Sequence, residues 1–341
     1  MNREAFFTTL AVLVVLGVAL LAWQFAYVLM LAFAGLLLAV LLRRGAVALA
    51  RRTPLSVGLS MAAVILTVLG AAALFGVYAG PRISSELSQV AQTLPDAWDR
   101  IEDYLTGTTW GGYLMDTLPR VEDRPRVDIA GMLGATVSTA VSMAVNLVVV
   151  LTAGVFLALD PELYRRGLMH LVPKARRVRA REVLDELGRG LWYWLVGQSI
   201  DMAAVALMTG TGLWLIGVPL PIALGLIAGV TNFIPYLGPF IGGVPAVLIA
   251  TSLGIDTALW TAGMIVVVQQ IESSVLMPII QREATALPPV LTILVVIGFG
   301  GIFGILGMLL ATPLLLTGII LVRTLYVEDM LGDQEAEGGK P

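Results

Sequence analysis

The sequence predicts an all-α polytopic membrane protein with about eight transmembrane segments, because its composition suits lipid and its apolar residues fall in long runs. Of the 341 residues, 58% are hydrophobic and 13% are charged, whereas soluble domains carry about 25% charged residues. The mean hydropathy is +0.90. The chain therefore has more apolar residues than the core of a water-soluble protein of this size can bury. The chain has no cysteine, which excludes disulfides and thiolate metal sites.

The apolar runs are near or above the roughly 20 residues that a helix needs to cross a bilayer core of about 30 Å. They cover residues 6–22, 25–42, 57–79, 132–159, 192–216, 221–251, 257–276 and 288–323. Only Trp23 and Gln24 separate the first two runs, and no cleavage site lies between them. We therefore interpret these two runs as a retained transmembrane hairpin rather than a signal peptide.

Basic residues in the connecting loops predict the orientation of the chain. The loop 43–52 holds four Arg residues and the loop 160–190 holds eight Lys or Arg residues, whereas the segment 81–129 has five Arg against nine acidic residues. Because cytoplasmic loops of membrane proteins are enriched in Lys and Arg, the first two are expected in the cytoplasm and the third outside. The same alternation predicts that both termini lie in the cytoplasm.

The spans and loops divide the chain into six regions. These are N-terminal transmembrane helices 1–80 as a scaffold, an extracytoplasmic amphipathic helical segment 81–131, a transmembrane helix 132–159, a basic cytoplasmic helical connection 160–190, a transport bundle 191–325 and an acidic cytoplasmic tail 326–341. In the extracytoplasmic segment, apolar residues recur every three or four positions, so it is expected to pack on protein or to lie in the lipid headgroups. The basic connection is expected to meet anionic lipid rather than nucleic acid.

Two of the apolar runs, 221–251 and 288–323, are too long and too rich in Gly and Pro for ordinary spans. Their predicted backbone breaks, with one more after the run 257–276, fall at Pro235, Gly238, Pro239, Gly242, Pro245, Pro278, Gly300, Gly301, Gly304 and Pro313. Proline removes a helix hydrogen bond, and non-helical backbone at membrane depth survives only when protein buries it or it lines a cavity. Paired interrupted segments of this kind indicate a transporter's binding site. The alternative is that the glycines only permit close helix packing.

Each broken run is either a re-entrant hairpin or a kinked span. If both are hairpins, helix 192–216 and its hairpin form an inverted copy of helix 257–276 and its hairpin. The two arrangements place Arg282 on different sides, and the positive-inside tendency favours hairpins by that single residue.

Polar residues inside the apolar helices supply the candidate site. Gln198 precedes Asp201 by three positions, and Gln269 precedes Glu272 by three, so each pair shares one helix face. Acids within membrane spans are energetically costly and mark pathways or relays by default; the alternative is a structural contact between helices. We expect one midplane cavity lined by Gln198, Asp201, Asn232, Gln270 and Glu272. No metal site and no cofactor are predicted.

Several motifs resemble the autoinducer-2 exporter family of permeases. They are Asn-Phe-Ile-Pro-Tyr-Leu-Gly-Pro-Phe-Ile-Gly-Gly-Val-Pro at 232–245, Gln-Gln-Ile-Glu-Ser-Ser-Val-Leu-Met-Pro at 269–278, Gly-Gly at 300–301 and Leu-Gly-Met-Leu-Leu-Ala-Thr-Pro at 306–313, with Gly197-Gln198 and Leu159-Asp160. Where the family often has His-Pro, this chain has Pro288-Pro289, so no role of that histidine carries over. The resemblance implies eight transmembrane segments, inverted repeats, transport and a homo-oligomer, with a pentamer as one candidate.

Three functions are compatible with these features. The first is a secondary exporter of a small polar solute, autoinducer-2-like by the resemblance. The second is a sodium(lithium)/proton antiporter in which Asp201 and Glu272 alternate between a monovalent cation and a proton, and the third is a non-transporting scaffold or channel. The sequence has no phosphate-binding Gly-x4-Gly-Lys-Ser/Thr motif, no His-Glu-x-x-His and no histidine in a predicted span. These absences disfavour an ATP-driven pump and an intramembrane enzyme.

Overall fold

The computed structural model describes residues 3–78, 81, 85, 145–280 and 287–332, and all regular structure in these ranges is helical. The helices are α1 (Arg3–Arg52), α2 (Val57–Tyr78), α3 (Val145–Leu159), α4 (Pro161–His170), α5 (Arg177–Ile216), α6 (Pro221–Thr231), α7 (Gly238–Ala250), α8 (Ile255–Ile271), α9 (Met277–Ile280) and α10 (Pro289–Leu321). Wider π-helical turns follow α8 at Glu272–Leu276 and α10 at Val322–Glu328. The predicted all-α membrane protein is confirmed at this level.

Four helices in the described part of the chain are long and apolar enough to cross a membrane. By length and composition they are Phe25–Arg52, Lys174–Ile216, Ile255–Leu276 and Pro289–Glu328, the last of which is interrupted at Gly304. A fifth results if α3 and α4, which are bent by 85°, form one broken span. The eight-segment count therefore stays a prediction. The predicted amphipathic helix in 81–131 lies outside the described residues except for 81 and 85. The start of the span 132–159, Arg282 and the end of the acidic tail also lie outside them.

The N-terminal hairpin predicted from the sequence is wrong. The backbone of α1 runs as one helix from Arg3 to Arg52, through Trp23 and Gln24, where the turn was expected. Neither Trp nor Gln breaks a helix, and this stretch contains no proline that would force the chain to turn. The prediction of a cytoplasmic N-terminus depended on that turn, and the continuous helix leaves it without support.

Helix α5 is the central element of the C-terminal half and packs against α1, α6, α8 and α10. Its first turns, with α4, make the basic connection 160–190 helical as expected. With 40 residues it is about 60 Å long, about twice the hydrocarbon thickness, so its basic end extends past the bilayer. There the Arg179 guanidinium pairs with Glu328 and Asp329, each at 2.9 Å, and so joins the ends of α5 and α10.

The first broken run is a helical hairpin. Helices α6 and α7 are joined by residues 232–237 and pack against each other, and a Cβ on Gly242 would lie 2.5 Å from the Ala228 Cα. A Cβ on Gly238 would collide with the Thr231 carbonyl oxygen. The contacts 228–242 and 231–238 run in opposite directions along the chain, so α6 and α7 are antiparallel. In the turn, Tyr236 has a left-handed φ of 66°, a strained conformation for a side chain of this size.

The second broken run also folds back on itself. Within α10, Gly304 has φ 63° and ψ −145°, which interrupts the helix. A Cβ on Gly300 would lie 2.6 Å from the Met308 Cγ, and one on Gly307 would collide with the Phe299 carbonyl oxygen. Residues eight positions apart in a straight helix are about 12 Å apart. The two halves of α10 therefore lie against each other, and the chain reverses at Gly304.

Replacing Gly304 by Ala is expected to destabilise the protein by about 1 to 3 kcal/mol, because an L side chain rarely adopts this combination of φ and ψ. Gly301→Ala is the matched control, since Gly301 is helical and a Cβ there would meet nothing within 4 Å. Thermal unfolding of both purified variants checks the expectation. Equal melting temperatures for the two variants would show that the reversal does not need glycine.

The main hydrophobic cluster around the C-terminal half joins three helices. Met30 and Leu37 of α1 pack with Leu191 and Trp194 of α5 and with Leu310 of α10. This packing fixes the face of α5 that carries the predicted polar residues. It also brings the second half of α10 against that face.

Candidate functional site

A cavity of about 790 Å³ lies between α5, the α6–α7 turn, α8 and α10. Its wall contains all five predicted polar residues, together with further ones that the sequence did not single out. The polar lining comprises Gln198, Asp201, Asn232, Gln269, Gln270, Glu272, Ser273, Thr292 and Thr312. The remainder is mainly aromatic and aliphatic, including Trp194, Tyr236, Phe240, Val244, Val266 and Met277.

Asn232 forms hydrogen bonds with three other polar residues of the cavity wall. Its Nδ2 donates to Asp201 Oδ2 at 2.6 Å and to Glu272 Oε1 at 3.3 Å. Its backbone oxygen accepts from Gln198 Nε2 at 2.9 Å, and Gln269 Nε2 donates to Glu272 Oε2 at 3.1 Å. One amide thus holds two carboxyl groups from two different helices, and we call Asp201, Asn232 and Glu272 the carboxylate–amide cluster.

The local sequence explains why these three side chains meet. Asn232 is the first residue after α6, where the chain leaves the helix ahead of Pro235. Glu272 begins the π-helical turn that precedes Pro278, whose missing N–H loosens the helical hydrogen-bond pattern. Asp201 lies within unbroken α5, one turn after Gln198 on the same face. Two helix interruptions therefore bring Asn232 and Glu272 to an acid on a regular helix.

Two buried polar atoms in the cavity wall have no hydrogen-bond partner in the described part of the chain. They are Asp201 Oδ1 and Thr312 Oγ1, and their residues are 5% and 3% exposed. No Lys or Arg among the described residues forms an ion pair with Asp201 or Glu272. Buried polar atoms are nearly always hydrogen-bonded in proteins, so these two atoms indicate a place for a ligand or water.

The predicted site residues fall into two groups in the structure. Gln198, Asp201, Asn232, Gln270, Glu272, Pro235 and Pro239 line the cavity. Gly238, Gly242, Pro245, Pro278, Gly300, Gly301, Gly304 and Pro313 are not in its wall. The predicted breaks at Gly242, Pro245, Gly300, Gly301 and Pro313 are wrong, as is the one at Pro239, because these residues lie within the helical parts of α7 and α10. Within the described residues the interruptions are the turn that contains Pro235, the π-helical turn before Pro278 and the reversal at Gly304. No hydrogen bond of the Gln270 side chain is found within the described residues, whereas Gln269 binds Glu272.

Sequence reasoning missed Trp194 and Thr312. Trp194 lies four residues before Gln198 on the same face of α5, so the helical period could have found it. Thr312 directly precedes Pro313 in the second broken run, but its place in the wall depends on the reversal at Gly304. Among the described residues, no three His, Cys, Asp or Glu side chains come together at a possible metal site.

The sequence profile of the AI-2E transporter family matches residues 10–326. The chain belongs to the AI-2E transporter family. Of its relatives, "Putative transport protein YrrI" of Bacillus subtilis is 35% identical over 46% of this chain and 45% of its own length. "Putative transport protein YueF" of Bacillus subtilis is 25% identical over 75% of this chain and 73% of its own. "Putative permease PerM" of Escherichia coli is 25% identical over 75% and 72%.

Membership of the AI-2E family indicates a multi-pass membrane transporter. The match spans under half of YrrI and nearly three quarters of YueF and PerM. The names of these AI-2E relatives describe transport and no catalytic activity. They give no solute.

Proposed function

We propose that this chain is a secondary transporter of a small polar solute across the bacterial inner membrane, and that the cavity around the carboxylate–amide cluster is its solute site. The observation that carries the proposal is the position of this cluster, in a cavity of about 790 Å³ beside the turn of a helical hairpin. A volume of this size is within the range of small-molecule sites, about 300 to 1,000 Å³. An autoinducer-2-like solute is one candidate.

Membrane energetics support a pathway at this place. An acidic side chain within a membrane span costs at least about 2.5 kcal/mol on insertion scales, and this cluster brings together two acids. Non-helical backbone, such as residues 232–237, is tolerated at membrane depth where it lines a cavity. Such broken helices around a polar midplane site are the usual construction of secondary transporters.

The two hairpins suggest how access could alternate. In our proposal they are re-entrant from opposite sides and belong to an inverted repeat, with the region 1–80 as scaffold or homo-oligomer interface. The hairpins would then move against that scaffold and open the cavity to one side at a time. The ion pairs of Arg179 with Glu328 and Asp329 are positioned to hold one end of α10 against α5 in the state described.

Cysteine accessibility tests the cavity, because the natural chain has no cysteine and any label reports an introduced thiol. Val266 and Val267 are adjacent in α8 and similarly exposed, at 61% and 56%, but only Val266 lines the cavity. In proteoliposomes, Val266→Cys is expected to react with a membrane-impermeant methanethiosulfonate, and Val267→Cys is expected not to react. Imposing an ion gradient is expected to change the side from which Val266→Cys is labelled.

Two results would count against the proposal. Equal labelling of the two cysteines would mean that the cavity is not a separate aqueous path, and labelling from both sides at once would indicate a channel. The antiporter alternative is tested on the same proteoliposomes by proton flux driven by sodium or lithium. Flux that is lost in Asp201→Asn and kept in Asp256→Asn would favour the antiporter, because Asp256 is exposed in the first turn of α8 and outside the cavity.

A further inference from the structure

We propose that the solute carries an ammonium group on an apolar body. Its N–H groups would bind Asp201, Glu272 and Thr312, and its body would lie against the aromatic wall formed by Trp194 and Phe240. The inference rests on the proposed function and deepens it by naming the class of solute. It is drawn from the hydrogen-bond inventory, the charge and the lining of the cavity.

The hydrogen-bonding capacity left open in the cluster consists mainly of acceptors. Both hydrogens of the Asn232 amide are directed at carboxylate oxygens, and Gln269 also donates to Glu272. Asp201 Oδ1 and Thr312 Oγ1 are buried without a partner in the described part of the chain. An ammonium group has only donors, three in a primary amine, so it matches these atoms. A polyhydroxylated solute brings acceptors as well, and the side chains of Asp201, Asn232 and Glu272 have no free N–H for them; among the described residues, the unpaired amide in the wall is that of Gln270, outside the cluster.

The charge of the site points to the same group. Asp201 and Glu272 lie close enough to bind one amide nitrogen, and no Lys or Arg within the described residues pairs with either of them. Two carboxylates at this distance repel each other more strongly in low-dielectric surroundings than in water. A bound cation relieves that repulsion and leaves each acid with a charge-assisted hydrogen bond.

The size and lining of the cavity favour an organic cation over a bare metal ion. Metal cations such as Ca²⁺ need a shell of about six or more oxygen ligands, whereas the described residues nowhere bring three acidic side chains together. Most of the wall is aromatic or aliphatic, with Trp194, Tyr236, Phe240 and Met277 among its members. Aromatic faces also attract ammonium groups through cation–π interactions. The apolar wall therefore suits a hydrocarbon or aromatic body attached to the charge.

Binding of matched probes to the full chain in lipid nanodiscs tests the inference. The probes are labelled phenethylamine, its neutral isostere 2-phenylethanol, and sodium chloride as a source of a bare cation. We expect phenethylamine to bind at least about tenfold more tightly than the alcohol, as a charge-assisted hydrogen bond implies. Glu272→Gln is expected to remove most of that preference, since it keeps the shape of the side chain and removes its charge.

Two threonines of α10 supply a matched pair of variants. Thr312→Val is expected to weaken phenethylamine binding several-fold, because it removes a free hydroxyl from the cavity wall. Thr317→Val is expected to change nothing, since the Thr317 hydroxyl already donates to the Pro313 carbonyl oxygen at 2.8 Å and lies outside the cavity. A structural role for Thr312 alone would lower the melting temperature and leave the ratio of amine to alcohol affinity unchanged.

Two results would overturn the inference. They are equal affinity for the amine and the alcohol, and no binding of the amine, whether or not sodium binds. Neither alters the expected labelling of Val266→Cys, so they would leave the proposed transport cavity standing. Failure of Val266→Cys to react would instead remove the proposed function.

Discussion

Replacing Asn232 by Ala is expected to destabilise the protein by about 1.5 to 3 kcal/mol, the usual contribution of a hydrogen bond to a charged group. The Asn232 amide is the shared donor of Asp201 Oδ2 and Glu272 Oε1. Without it, two carboxyl groups stay in the cavity with no donor between them. A buried polar group that has lost its partner costs the protein the full free energy of desolvating that group. Thermal or denaturant unfolding in detergent measures the loss.

The double variant Asn232→Ala/Asp201→Ala separates this cause from a general packing defect. Removing both partners of a buried hydrogen bond is far less harmful than removing one, so part of the stability should return and the two changes should not be additive. Gln270→Ala is the control, because this amide also lines the cavity but has no hydrogen bond among the described residues. Additive losses in the double variant would argue that the Asn232 amide does not bridge the acids.

Replacing Gly229 by Ala is expected to lower stability by about 1 to 3 kcal/mol, the usual cost of overpacking. A Cβ on Gly229 would lie 2.6 Å from the Met202 carbonyl oxygen and 2.5 Å from the Ala206 Cβ, so α5 and α6 would have to move apart. Gly225 makes a similar close approach to Gly210 one turn earlier, which gives the small-residue spacing of tightly packed membrane helices.

The same change is expected to disturb the site. Met202 follows Asp201 directly and Gly229 lies three residues before Asn232, so separating the helices pulls the Asn232 amide from the Asp201 carboxylate. Gly263→Ala in α8 is the matched control, because a Cβ there would meet nothing within 4 Å. That variant should be neutral or slightly more stable, since alanine favours helix by up to about 1 kcal/mol over glycine. Unfolding midpoints of both variants decide the matter, and a Gly229→Ala protein as stable as the control would disprove the close packing.

The sequence alone was sufficient to predict the helical membrane class and the presence of interruptions in the C-terminal helices, but not their exact positions, because Pro245 and Pro313 lie inside helices. Pro235 and Gly238 predict the interruption after α6 because proline lacks a donor and glycine tolerates close backbone contact. The period of the helix also predicts that Gln198 and Asp201 share a face. These are local properties, and residues within a few positions of each other determine them.

Other predictions failed or stayed open because they depended on contacts between distant segments. The turn at Trp23 and Gln24 was wrong, since a short polar interruption does not by itself end a helix. Both broken runs could be hairpins or kinked spans by sequence, and the close approaches of Gly300 to Met308 and of Gly307 to Phe299 show that α10 reverses. Thr312 enters the cavity wall for the same reason.

The sequence by itself determined that this is an integral membrane protein, that its C-terminal helices are interrupted, and that two acids lie within apolar helices. The tertiary structure decided that both acids meet at Asn232 in one cavity with an apolar wall. The physical reason is that the free energies of transfer into lipid and of helix interruption depend on residues that are close together in the sequence. The meeting of Asp201 with Glu272, 71 positions later in the chain, depends instead on how α5, α6 and α8 pack.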